Sequence, residues 1–182
     1  MSDIQLKVPE TVTFEQAIAL SQSLLSQAEA GEISEPEIAA VIAELVKTEN
    51  GARGFFVTYL TSEVSIADNP STLVVQALQS NPEVVAELLV KNLAMSAAQA
   101  VFHRRNQKEE MAQGSERVHK RTALLIELME LPSVYDRSLK LLETAATGEG
   151  SYKAFLERWG YDAEQRQAMS QALKQVISER MH

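Results

Sequence analysis

From Thr13 onward, apolar residues return every three or four positions between proline and glycine marks, a spacing that fits an α-helix and little else. Phe14, Ala17, Ile18, Leu24, Leu25 and Ala28 form one stripe, and Thr13 with Gln16 three residues on has the pattern of a capping box. Ser34 with Glu37 repeats that pattern ahead of Ile38, Val41, Ile42, Leu45 and Val46. The run Phe55-Phe56-Val57-Thr58-Tyr59 has the residue types of a strand. No second strand-like run exists to pair with it, so the segment from Arg53 to about Val64 is read as a helix.

The punctuation places the remaining helices. Proline has no N–H to donate and a fixed φ that suits a first helical turn. Pro36, Pro70 and Pro82 follow the candidate caps Ser34, Asn69 and Asn81, and Pro132 should end the apolar run Leu124–Leu131. Gly31, Gly51, Gly148 and Gly150 mark expected helix stops. The helix from Pro82 is expected to break near Gly114, where Ser115 would start a new one. An unbroken helix to Leu131 would be about 75 Å long. Further helices are expected from Ser133 to about Thr147, from Ser151, and from Asp162 to near the end.

The fold expected is therefore all-α: a bundle of seven or eight amphipathic helices with a long central helix or helical hairpin. One domain should cover 1–182, with 1–12 extended or poorly ordered. Asn69-Pro70 and Asn81-Pro82 echo one another, but no period of roughly 30–45 residues recurs, so no solenoid is expected.

The 182 residues include no cysteine, which excludes disulfides, cysteine catalysis, iron–sulfur clusters and thiolate zinc sites. The start MSDIQLKVPET has neither a basic stretch nor an apolar core, so no secretory signal is read there. The apolar windows Phe55–Leu60 and Val84–Val90 are too short to span a bilayer. A cytoplasmic protein without membrane contact is expected.

Charge is unevenly distributed. Residues 1–102 carry four Lys/Arg against thirteen Asp/Glu, a net of −9, whereas residues 103–121 carry six against three, a net of +3. The basic segment presents Arg104, Arg105, Lys108, Arg117, Lys120 and Arg121, which could hold an acidic protein surface or phosphates. Pairs Arg105 with Glu109 and Glu116 with Lys120, at i,i+4, would neutralise part of that charge. The segment also lacks aromatics that stack bases, which disfavours nucleic acid.

Two Glu-x-x-His pairs, Glu116 with His119 and Glu179 with His182, have the spacing by which helices share a metal. Arg117, Lys120 and Arg121 beside the first would repel a dication, and the second ends on the final residue. No metal and no cofactor is expected. The aromatics cluster at Phe55, Phe56, Tyr59 and at Tyr152, Phe155, Trp159, Tyr161, where core packing is the favoured reading. Gly148-Glu149-Gly150-Ser151 follows a helix and lacks a P-loop lysine, so it reads as a turn. With no catalytic signature, the sequence points to a non-enzymatic helical module. It would bind a protein partner, or a second copy of itself, through helix faces and the segment 103–121. Phosphorylated ligands at that segment stand second, and a carboxylate metal carrier or enzyme third.

Overall fold

A computed structural model describes residues 6–180, without the side chain of Arg180. Among the described residues there are nine α-helices, one 3-10 turn and no strand. The all-α expectation holds. The count among the described residues is nine where seven or eight were expected. Two compact units divide within one helix: Met1–Leu88 and Leu89–His182.

The first unit contains α1 (Phe14–Glu29), α2 (Glu35–Leu45), α3 (Glu49–Thr61), α4 (Thr72–Gln79) and the start of α5 (Pro82–Arg105). Residues 6–12 ahead of them are non-helical, with Val12 buried. The expectation for residues 1–5 lies outside the described residues.

Both expected capping boxes are present. The Gln16 amide donates to Thr13 Oγ1 at 3.0 Å while Gln16 Oε1 accepts from the Thr13 amide at 2.9 Å, and Ser34 and Glu37 exchange the same bonds. Two punctuation marks act differently from expectation. Ser71, not Asn69, caps α4, its hydroxyl accepting from the Val74 amide. Gly51 does not stop a helix but lies in the first turn of α3, donating to Thr48 Oγ1 at 3.0 Å. A side chain there would strike the backbone carbonyl of Leu45, so glycine lets the end of α2 pass close over the start of α3.

The aromatic run is helical because its apolar residues fall on one face. Ala52, Phe55, Phe56, Tyr59 and Leu60 are all buried, with the Phe55 and Tyr59 rings stacked at 5.2 Å between centroids. The neighbours of α1 and α2 are one helical pair further along the chain: α1 packs on α3, and α2 on α4. Ser65 donates to Glu29 and Ser71 to Glu35, both across 36 residues. This single 36-residue offset relates two helical pairs, without a period that recurs along the chain. The pairs α1–α2 and α3–α4 are stacked in parallel register, although their sequences share only cap positions and apolar spacing.

The second unit contains the rest of α5, then α6 (Glu109–Met129), α7 (Pro132–Thr147), α8 (Lys153–Trp159) and α9 (Ala163–Arg180). By length and composition α5 could cross a membrane, which the short apolar windows did not suggest. Its residues Leu89, Val90, Leu93, Ala94 and Ala98 are buried in the protein.

The chain breaks at 106–108 and not at Gly114. Gln107 takes the left-handed conformation at φ 60°. The Gln107 amide bonds Arg104 O at 3.1 Å and the Lys108 amide bonds His103 O at 2.8 Å, closing α5 in a Schellman arrangement. Helix α6 runs through Gly114 and folds back beside α5, where His119 faces Leu93. Helices α7 and α9 pack extensively. Asp162 and Gln165 form a further capping box that starts α9.

At Gly54, α3 lies close against the backbone of α1. A Cβ on Gly54 would strike the Ala17 methyl and lie 2.9 Å from Phe14 O and 3.0 Å from Ile18 N. The Cβ position of Gly114 faces open space. Helix propensity alone would favour alanine at both sites by roughly 1 kcal/mol. Overpacking costs about 1–3 kcal/mol, and a clash with backbone falls at the upper end. Gly54→Ala should therefore lose about 2 kcal/mol of unfolding free energy, and Gly114→Ala should gain up to about 1 kcal/mol, by urea titration followed by circular dichroism. Equal gains in both variants would show that α1 and α3 do not meet at Gly54.

Candidate functional site

The basic segment expected as a binding surface is largely engaged with the protein's own acids. Arg104, at the end of α5, bonds Glu109 through Nε at 3.0 Å and Glu116 at 2.9 Å. Arg105 reaches Asp162 at 2.8 Å and Glu164 at 3.4 Å, at the start of α9. The expected i,i+4 pairs, Arg105 with Glu109 and Glu116 with Lys120, do not form. The break at 106–108 puts Arg105 and Glu109 on different helices, and Arg104 takes both glutamates.

Arg121 is 3% exposed and engaged inside the fold. Only Lys108, Arg117 and Lys120 of the six expected cations are exposed without an ion pair among the described residues. Six charges on one surface thus become three.

These pairs shift the titration of their carboxyls. Hydrogen bonding from Arg104 holds Glu109 below the usual carboxylate range. The Gln165 amide and then Arg105 do the same for Asp162. Nearby, burial pushes the Tyr161 phenol up to about 12.

The metal candidates are not brought together. Arg104 occupies Glu116, while His119 Nδ1 points towards Leu93 O at 3.4 Å and Ser96 Oγ at 3.5 Å. Glu179 borders a small cleft with Glu127 and Glu130. His182 lies outside the described residues. Among the described residues, no three His, Asp or Glu side chains gather as metal ligands would.

The second aromatic cluster divides. Tyr152 and Tyr161 are buried, whereas Trp159 is 49% exposed at the end of α8.

A groove of about 640 Å³ in the first unit was not visible in the sequence. It lies between α1 and α3, with Ile18, Gln22, Leu25 and Glu29 on one side and Val57, Thr58 and Thr61 on the other. From their close contact at Ala17 and Gly54 the helices continue to Glu29 and Thr61, and the groove occupies the space between them. The hydroxyls on the α3 side are already bonded: Thr58 Oγ1 donates to Gly54 O at 2.8 Å, Thr61 Oγ1 to Val57 O at 2.6 Å, and Ser62 Oγ to Tyr59 O at 2.9 Å. Back-bonding of this kind occupies the hydroxyl and leaves the threonine methyl free for apolar contact. The one charged lining residue is Glu29. The only sequence signal would have been the small side chains facing one another at Ala17 and Gly54, which pattern reading reserves for helix ends and turns.

A family model described as uncharacterised conserved protein UCP020893 matches residues 13–176, and the chain belongs to that family. The match runs from the cap of α1 into α9, so both the groove and the α5–α6 turn lie within it. No curated protein and no solved structure matches the chain.

Because the folded pKa of Asp162 lies below its unfolded value, its stabilising contribution is present above the unfolded pKa. That contribution is lost as pH falls through the folded value. Arg105→Gln should raise the Asp162 midpoint part of the way to the ordinary value, since the Gln165 amide still bonds it. Carboxyl-carbon NMR titration reads this directly, and an unmoved midpoint would mean that Arg105 does not hold Asp162 in solution.

Proposed function

We propose that this member of the UCP020893 family is a non-enzymatic helical module that binds another protein through helix faces. The observation that carries the reading is the groove between α1 and α3. It is open, as a surface for a polypeptide must be, whereas small-molecule sites enclose most of their ligand. The hydroxyls of Thr58 and Thr61 donate to the backbone of their own helix, and the rest of the lining is largely apolar, which supports a surface that works by contact. Stacked helical pairs characteristically offer such surfaces, because each pair leaves a shallow furrow against the next.

A second reading places an acidic partner on α6. Lys108, Arg117 and Lys120 remain exposed there after Arg104, Arg105 and Arg121 are engaged within the fold. Phosphate binding at the same three cations would show a log–log salt slope of about −2.7 on duplex DNA, shallow for a nucleic-acid protein.

Native mass spectrometry of the protein purified gently from its own cells separates these readings. A protein partner, or a second copy, held by the wild type and lost in Val57→Arg is the expected result. Retention in that variant, with loss on combined Lys108→Glu, Arg117→Glu and Lys120→Glu, would move the interaction to α6. A co-purifying nucleic acid or metal with no protein would overturn the proposal.

A further inference from the structure

Helices α1 and α3 run parallel, because Ala17 meets Gly54 near their starts and Glu29 meets Ser65 beyond their ends. Both C-termini therefore arrive at the same end of the groove. Each helix C-terminus carries about half a negative charge from its aligned peptides. Neither helix has a basic residue in its last turn to offset it. Glu29 adds a full charge at that end, and it is exposed. At the other end Arg53 lies over the Phe14 ring, 4.9 Å from its centroid. The groove thus has an apolar middle at Ile18, Leu25 and Val57, and its charge is negative at one end only.

The surroundings have the same sign. Residues 6–88 carry three Lys/Arg against twelve Asp/Glu, and Lys47 is paired with Glu44. Val57 is 43% exposed, an apolar side chain placed where a partner would cover it.

We infer that the α1–α3 groove takes an amphipathic helical segment of a partner protein, its apolar face against Val57 and Ile18 and a Lys or Arg at the end that meets Glu29. From Ile18 to Glu29, α1 gives the groove a length of about 17 Å, which matches three turns of a docked helix. Leucine-sized anchors at i, i+3 and i+7 would fill it, as in other helix-in-groove complexes. The inference rests on the reading of the groove as a protein-binding surface and adds the sign of the partner.

Fluorescence anisotropy with two synthetic peptides tests it on the full chain. Both are amphipathic and about four helical turns long, one of Leu and Lys and the other of Leu and Glu. The Leu/Lys peptide should bind the wild type saturably and at least about tenfold more tightly than the Leu/Glu peptide. Val57→Arg should weaken it by about tenfold or more. Leu73→Arg makes the same charge change in the first unit at an exposed position outside the groove, and it should leave affinity within about twofold. Glu29→Gln should weaken the Leu/Lys peptide and, by removing a like charge, should not weaken the Leu/Glu peptide. Equal affinities for the two peptides, both lost in Val57→Arg, would overturn the cationic partner and leave the groove as a binding surface. Failure of both peptides to bind, or equal weakening by Val57→Arg and Leu73→Arg, would overturn the groove itself. Circular dichroism on each variant confirms that it is folded.

Discussion

The arrangement of the first unit depends on a missing side chain. Only because Gly54 has no Cβ can α3 lie against Ala17 and the backbone of Phe14 and Ile18. That contact sets the separation of α1 and α3 at one end, and the length of the helices beyond it then determines the groove. Gly51 does related work at the junction of α2 and α3, where a methyl would meet Leu45 O. In both places glycine lies inside a helix, where its intrinsic cost is roughly 1 kcal/mol. The close packing it permits outweighs that cost.

Stacking of pairs has an electrostatic consequence that a simple antiparallel bundle lacks. In an antiparallel pair the helix dipoles oppose and largely cancel at each end. Here α1 and α3 are related by a whole helical pair, so they run the same way and their negative ends coincide. Glu29 reinforces that polarity and Ser65 holds it in place with a 3.4 Å hydrogen bond. The groove therefore has a direction as well as a shape.

In the second unit, charge is used mainly for internal fastening. Arg104 joins the end of α5 to α6, and Arg105 joins it to the start of α9, while the left-handed Gln107 turns the chain between them. These pairs are exposed, so water screens each of them and none contributes much stability alone. Their larger effect is on the apparent basic patch: they engage two of its six cations, and the burial of Arg121 takes a third. A charge count along the chain treats every arginine as available, but a fold with acids in reach does not.

Helical identity, the capping boxes at Thr13 and Ser34, and the ends at Gly31, Pro132 and Gly148 were legible in the sequence. Each depends on bonds within about four residues, and that range is what a local pattern encodes. The break at Gln107 was misplaced to Gly114, because residue preference favours glycine in the left-handed conformation and a glycine lay seven residues on. The cap Ser71, the role of Gly51, and the 36-residue register of the stacked pairs were not legible. Stacking needs only matching helix lengths and apolar faces, so the two pairs share geometry without sharing sequence. The same holds for the candidate site. Sequence alone determined that the chain would form amphipathic helices with an acidic first half. Tertiary structure decided which cations stay free and where two helices leave a groove, because both depend on contacts between residues far apart in the chain.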